Sequence, residues 1–157
     1  MCWQCDHPDK TLADYLDVLR STIRDHGWVI QAVEDNRAPY SYTVGLRQRG
    51  LPELLMTGLA PKRAARLLNH AVQHSLVAGV PAPGTQCRLL DGLPVEVVEV
   101  DHPDAHMGMA IAINRGRPIT ARQLVWADSR HRWPWEPHFD NGMRRQPVLG
   151  RRVVSAG

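Results

Sequence analysis

The sequence predicts a single α+β domain, in which an antiparallel sheet of about six strands, open or closed into a barrel, packs against two long helices and one short helix. Two stretches repeat apolar residues with the period of a helix, and several shorter stretches alternate with a period of two. Glycine and proline separate these stretches. We expect one domain over residues 1–150, including an N-terminal segment at 1–10, and a disordered tail at 151–157.

The first long helix is predicted to begin near Thr11, with either Asp9 or Thr11 as its cap, and to end at Gly27. Thr11 and Asp14 have the spacing of a capping box, and a glycine suits the left-handed residue that ends a helix. Apolar residues recur at i, i+3, i+4, i+7 and i+11 along one face, at Leu12, Tyr15, Leu16, Leu19 and Ile23.

The second long helix is predicted from Pro61 to about Ala78, with Gly79 past its end. A short helix is expected over Asp104–Ile113. Six stretches rich in β-branched and aromatic residues predict strands. These are Trp28–Val33, Tyr40–Leu46, Glu53–Thr57, Gln86–Leu90, Pro94–Val100 and Ala121–Trp126.

Composition and charge narrow the function classes. No run approaches the roughly 20 apolar residues of a membrane helix, and the N-terminus lacks a basic and then apolar signal, so we expect a soluble, cytoplasmic protein. The formal net charge is +3. The densest basic runs, Arg144-Arg145 and Arg151-Arg152, lack the interleaved aromatic residues of a single-strand binding groove. Nucleic acid is therefore not an expected partner.

The cysteine pair at the N-terminus is a candidate metal site. Thiolates at the spacing Cys2-x-x-Cys5 can converge on one ion such as zinc, and His7 could supply a third ligand. The alternative is a pair of free or reversibly oxidised thiols at a chain end. Cys87 is expected to be a small buried apolar residue.

The tetrapeptide Asp-His-Pro-Asp occurs twice, at residues 6–9 and 101–104, each time before a predicted helix. An Asp cap followed by proline is a favourable way to begin a helix, so capping explains most of the repeat. His102 and His106 are four residues apart and could share a metal ion, but Pro103 lies between them at the helix start.

Aromatic residues cluster near the end of the chain, in Trp126-Ala127-Asp128 and in Trp133-Pro134-Trp135-Glu136-Pro137. They either wall a ligand pocket or hold an irregular segment on the core, because aromatic side chains bury a large area in both settings. The candidate pocket residues are Tyr42, Thr43, Trp126, Trp133 and Trp135.

The loop Arg115-Gly116-Arg117 offers two guanidinium groups that could bind a phosphate or carboxylate, the alternative being a solvated loop. We find no Gly-x-Gly-x-x-Gly, P-loop, nucleophile elbow or His-Glu-x-x-His motif. The better-specified nucleotide and hydrolase signatures are therefore absent.

Several of these motifs together resemble the bacterial domain-of-unknown-function 4262 family over nearly the whole chain. In order, they are Cys2-x-x-Cys5, Gly27-Trp28, Tyr42-Thr43-Val44-Gly45-Leu46, Pro52-Glu53-Leu54, Gly58-Leu59, Gln123-Leu124-Val125-Trp126-Ala127-Asp128 and the closing segment from Trp133 to Pro137. The resemblance implies a bacterial cytosolic protein and brings no catalytic residue that can be transferred.

Three functional hypotheses follow. The first is a domain that binds a small molecule or a protein partner through an aromatic-lined pocket. The second is an enzyme with a bound cofactor, which would be either a flavin in a split-barrel fold or a metal held by the N-terminal cysteines. The third is a module that only makes interactions, for example as a homo-oligomer. The split-barrel suggestion rests on an analogy of fold.

Overall fold

The computed structural model describes residues 6–154, which form a mixed α+β fold around one six-stranded sheet. The strands are β1 (Val29–Val33), β2 (Tyr40–Val44), β3 (Glu53–Thr57), β4 (Gln86–Arg88), β5 (Pro94–Glu99) and β6 (Ala121–Trp126). The helices are α1 (Leu12–His26), α2 (Pro61–Ala78), α3 (Pro103–His106) and α4 (Gly108–Ile113). No helix in this part of the chain is long and apolar enough to cross a membrane.

The predicted sheet of six strands is confirmed, but the prediction of purely antiparallel pairing and the alternative of a barrel-like closure are both wrong. The strands lie in the order β1-β2-β3-β6-β5-β4, so β1 and β4 are edges and the sheet is open. The central pair, β3 and β6, is parallel, with Glu53 opposite Ala121 and Leu55 opposite Gln123. Local patterns place residues in strands but do not fix strand order, which depends on long-range packing. The flavin alternative loses its basis, because it assumed a split barrel.

The two long helices lie where the sequence predicts them. In α1, the Asp14 carboxylate accepts from Thr11 N at 2.8 Å and Asp14 N donates to Thr11 Oγ1 at 3.2 Å, which confirms the capping box. The predicted single short helix is wrong, because the chain forms α3 and α4 on either side of Met107. Met107 has a non-helical backbone, with φ −117° and ψ 53°, and its side chain is buried in the core.

The sheet is covered on both faces. On one face, α2 packs on the central strands through Ala64, Leu67, Leu68, Ala71 and Val72. On the other face, α1 and α4 cover one half of the sheet. The segment from Trp133 to Val148 covers the other half, over Val98 and Val125.

The sheet is built from two units of similar topology, with α3 and α4 inserted between β5 and β6 in the second unit. Each unit begins with a long helix, α1 or α2, and continues with an antiparallel three-stranded meander. The last strands of the two meanders, β3 and β6, pair in parallel. Their carboxyl ends therefore lie at the same edge of the sheet, where Trp126 Nε1 donates to Thr57 O at 2.8 Å.

A buried carboxylate organises the turn after β2. The Glu53 side chain accepts hydrogen bonds from Thr43 Oγ1 at 2.8 Å, Leu46 N at 3.1 Å and Gly45 N at 3.1 Å, with Arg47 N at 3.3 Å. Burial raises the pKa of Glu53, and these hydrogen bonds oppose that shift. One side chain thus satisfies the backbone of a tight turn that would otherwise bury unpaired N–H groups.

The segment after the last strand is held by two glutamines. The Gln146 amide exchanges hydrogen bonds with both backbone groups of Trp126 at 2.9 and 2.8 Å. The carbonyl of Pro147 accepts from Gln123 Nε2 at 2.8 Å and from Thr57 Oγ1 at 2.7 Å. These hydrogen bonds hold the segment around Gln146 and Pro147 against the ends of the two central strands, β3 and β6.

We predict that Gly58→Ala destabilises the protein much more than Gly50→Ala. Both glycines have positive φ, +81° and +73°, but a Cβ at Gly58 would lie 2.5 Å from the carbonyl oxygen of Arg145, whereas a Cβ at Gly50 meets nothing within 4 Å. Left-handed backbone alone costs about 1–2 kcal/mol. The overlap at Gly58 should cost about 1–3 kcal/mol more. Equal losses of unfolding free energy in urea would contradict this packing.

Candidate functional site

A cleft of about 350 Å³ opens at the edge where β3 and β6 end. Its walls come from the first turn of α2, the turn between β4 and β5, and the segment after β6. The lining residues are Arg63, Arg88, Asp91, Gly92, Leu93, Pro94, Trp126, Ala127, Asp128, Ser129, His131 and Arg144. The volume lies within the range of small-molecule sites, which is roughly 300–1,000 Å³.

Asp128 fixes the wall that follows β6. Its carboxylate accepts from Arg132 N at 2.8 Å, Arg132 Nε at 2.8 Å, Arg130 N at 2.9 Å and Asp140 N at 2.8 Å. Burial opposes ionisation of Asp128, but the hydrogen bonds from Arg132, Asp140 and Arg130 outweigh it and lower the pKa to about 2. The ionised side chain therefore holds a segment without regular secondary structure in one conformation.

The aromatic side chains form the walls of this region and are largely packed away from solvent. Trp126 is buried, and the Arg144 guanidinium lies 4.6 Å from its ring centroid. An adjoining hollow of about 140 Å³ shares Arg88 and His131 with the cleft and is also lined by Trp133. His131 contacts Trp133 edge-on, with ring centroids 6.1 Å apart.

Trp133 and Trp135 form the staple that the sequence offered as an alternative to a pocket wall. Their rings stack with centroids 5.4 Å apart. The Arg152 guanidinium lies 3.6 Å from the Trp135 centroid and also pairs with Glu96 at 2.7 Å. This stack holds the C-terminal segment on β5, and Trp135 is not among the residues that line the cleft.

The cleft has an excess of positive charge. Both acidic residues of its lining already form ion pairs with arginines that do not line the cleft. Asp91 pairs with Arg66 at 2.7 Å, and Asp128 pairs with Arg132 at 2.8 Å. Arg63 and Arg88, in contrast, have no carboxylate partner within residues 6–154.

Arg144, the remaining arginine of the lining, pairs with Asp140 at 2.8 Å.

The start of α2 adds to the positive potential near Arg63. No side chain caps this helix, and its first turn contains no acidic residue. The N–H groups of a first helical turn lack intrahelical partners and carry partial positive charge.

The predicted pocket residues do not wall one cavity. Trp126 and Trp133 lie at the cleft and the hollow beside it, but Tyr42 belongs to the core on the opposite face of the sheet from Trp126. Tyr42 is buried, and its hydroxyl accepts from Met109 N at 3.0 Å. Thr43 is buried in the hydrogen-bond group around Glu53.

Arg115 and Arg117 line a second, shallow concavity of about 310 Å³, and the structure adds Arg47 to them. The Arg47 Nε donates to Pro118 O at 3.2 Å, and its Nη1 lies 3.5 Å from Asn114 Oδ1. The sequence-predicted pair is therefore joined by an oriented third guanidinium. Anion binding by this loop stays a prediction.

The metal site predicted at Cys2, Cys5 and His7 stays a prediction. Cys2 and Cys5 lie outside the described residues, and His7 is exposed near the start of the described chain. Across residues 6–154, no group of three histidine, cysteine, aspartate or glutamate side chains is placed to hold a metal ion. His102 precedes the helix that contains His106, so the two do not share a helical face.

Sequence reasoning missed Arg63, Arg88 and His131. Arg63 carried a usable signal, because the first turn of α2 reads Pro61-Lys62-Arg63 and most helices favour acidic residues there. Arg88 and His131 carried no comparable signal. They come together only because β4 and the segment after β6 meet at one edge of the sheet.

The fold and the cleft define a mixed α+β domain with a basic cleft at the ends of two parallel strands. The chain belongs to the family described as Domain of unknown function (DUF4262), whose sequence profile matches residues 22–140. The matched range contains β1 to β6 and most of the cleft. No curated protein and no solved structure shows significant similarity to the chain.

We predict that Asp128→Asn lowers the unfolding free energy by about 1–3 kcal/mol near neutral pH, because the amide keeps only one acceptor oxygen and its NH2 group would face two of the four N–H donors. The folded pKa is about 2 against the usual 3.8, so ionised Asp128 stabilises the protein above pH 3.8. That contribution is lost as the pH falls towards 2, where wild type and variant should converge.

Urea unfolding at a series of pH values measures both chains. Asp17→Asn is the matched control, because the Asp17 side chain is 76% exposed and, among the residues that the structure describes, pairs only with Arg20, at 3.5 Å. A difference between wild type and Asp128→Asn that stays constant from neutral pH down to about pH 2 would contradict the role given to the carboxylate.

Proposed function

We propose that the protein binds a small molecule bearing phosphate or carboxylate groups in the cleft at the ends of β3 and β6. The observation that carries this proposal is that Arg63 and Arg88, which line one cleft with Arg144, have no carboxylate partner within residues 6–154, although Arg88 Nη1 donates to Gly92 O at 2.9 Å. Guanidinium groups bind phosphates and carboxylates through charge-assisted, often bidentate hydrogen bonds.

The distribution of charge supports an anionic ligand in particular. Both acidic residues of the lining are neutralised by arginines outside it, so a bound anion meets no free carboxylate from the cleft. The uncapped start of α2 adds N–H groups without intrahelical partners close to Arg63. Positive charge in a concave site also raises the local concentration of anions.

The rigidity of the walls supports a binding role over a purely structural one. Asp128 holds the segment after β6, and Gln146 ties the same segment back to Trp126. Leu93 and Pro94 supply an apolar wall for the non-ionic part of a ligand. A site of this kind is already formed before the ligand arrives, which lowers the cost of ordering on binding.

We predict that pyrophosphate, used as a compact probe anion, binds the wild-type protein and that Arg63→Gln and Arg88→Gln each weaken binding about tenfold. A charge-assisted hydrogen bond contributes roughly 1.5–3 kcal/mol, and about 1.4 kcal/mol corresponds to a factor of ten. Isothermal titration calorimetry at low and at physiological salt measures the affinities, which should fall as salt rises.

Arg24→Gln is the matched control. It removes one positive charge at an exposed position in the last turn of α1, which packs on the other face of the sheet from α2. An equal loss of pyrophosphate affinity in Arg24→Gln and Arg63→Gln would show that binding depends only on the net charge of the protein, and it would overturn the proposal. A loss in Arg115→Gln with none in Arg63→Gln would place the anion at the second concavity instead.

A further inference from the structure

We infer that the ligand of the basic cleft is a small bisphosphate, whose second phosphate group binds in a hollow beside the cleft. The hollow has a volume of about 510 Å³ and is lined by Arg37, Arg144 and Arg145, with Phe139 among its other walls. It shares Arg144 with the cleft. The inference rests on the proposed function, because the cleft is the binding position of the first phosphate group.

The hollow is positively charged, and no acidic residue lines it. Arg37 and Arg145 are exposed and have no carboxylate partner within residues 6–154. Asp35 lies two residues before Arg37, but its carboxylate accepts from Arg37 N at 2.8 Å and it is not part of the lining. An anion in the hollow therefore meets guanidinium groups and no lining carboxylate.

Other polar groups in the lining of the hollow are already engaged. The Gln146 amide exchanges hydrogen bonds with the backbone of Trp126 at 2.9 and 2.8 Å. The carbonyl oxygen of Pro147 accepts from Gln123 Nε2 and Thr57 Oγ1. Anion binding in the hollow therefore depends on its arginines.

The hollow and the cleft adjoin at Arg144. Its guanidinium pairs with Asp140 at 2.8 Å and lies 4.6 Å from the centroid of the Trp126 ring. Phe139, from the wall of the hollow, contacts Trp126, from the wall of the cleft, with ring centroids 5.1 Å apart. Arg144 is thus held where the two concavities meet, and each of them contributes two further arginines without a carboxylate partner.

This arrangement suits a ligand with a phosphate group at each end. A terminal phosphate carries up to two negative charges and three acceptor oxygens, more than a carboxylate offers, so it can bind two guanidinium groups at once. Phe139 and Pro134 provide apolar surface for the carbon chain between the phosphates. Joining two anions in one molecule also raises affinity, because the second binds intramolecularly.

The test is isothermal titration calorimetry of the full chain with alkanediol bisphosphates, from ethanediol to octanediol, each against the alkyl monophosphate of the same chain length. At the best chain length, one bisphosphate should bind per chain, at least about tenfold more tightly than its monophosphate. The dicarboxylate of that chain length should bind more weakly than the bisphosphate.

Arg37→Gln and Arg145→Gln should each weaken the best bisphosphate about tenfold, as expected for the loss of a charge-assisted hydrogen bond. Both should leave the Arg63-dependent binding of pyrophosphate unchanged. Both side chains are exposed and lack a carboxylate partner among the described residues, so neither change should disturb the fold. Arg24→Gln is again the control for net charge.

Three results would overturn the inference. The first is a bisphosphate that binds no more tightly than its monophosphate at every chain length. The second is two bisphosphates per chain, which would indicate two independent sites. The third is a loss in Arg37→Gln and Arg145→Gln no larger than in Arg24→Gln. Failure of the proposed function would differ from all three, because Arg63→Gln would then leave pyrophosphate binding unchanged.

Discussion

The parallel pairing of β3 with β6 is the constraint on which the rest of the structure depends. It joins two antiparallel meanders into one sheet and brings their last strands to a common end. β3 is followed by α2, and β6 is followed by the irregular segment at 127–146. The start of α2 and the start of this segment therefore lie at the same edge of the sheet. The hydrogen bond from Trp126 to Thr57 closes the junction. The basic cleft is a consequence of this geometry, as ligand sites at the carboxyl ends of parallel strands commonly are.

An irregular segment can form a rigid wall only if its polar backbone groups are satisfied. Asp128 meets this need at one end of the segment and Gln146 at the other, so the loop between them is anchored at both points. Because Asp128 and Gln146 already bind the backbone of this region, the positive charge in the cleft comes from its arginines. The conformation of this wall therefore rests on Asp128 and Gln146 and not on Arg63 or Arg88, although Arg88 Nη1 donates to Gly92 O in the opposite wall at 2.9 Å.

The parts of the fold that local signals determine were predictable from the sequence. The capping box at Thr11, the proline that begins α2 and the alternating strands all act within a few residues. Strand order and the break at Met107 depend on contacts between distant segments, which no local pattern encodes. The residues of the candidate site also divide into those with a local sequence signal and those placed by contacts between distant segments. Trp126 and Trp133 were found as an aromatic cluster, whereas Arg88 reaches the cleft only through tertiary packing.

The residues that make the family recognisable mostly build the scaffold. Tyr42 and Thr43 are buried and hydrogen-bonded, and Glu53 satisfies the turn that follows them. Arg63 and Arg88 lie outside all the motifs that carry the resemblance. The motifs that carry the resemblance therefore lie mainly in the sheet and in one wall of the cleft, while Arg63 and Arg88 add positive charge from positions between those motifs. Function must be argued from those arginines, because a fold supports many functions and its motifs can be entirely structural.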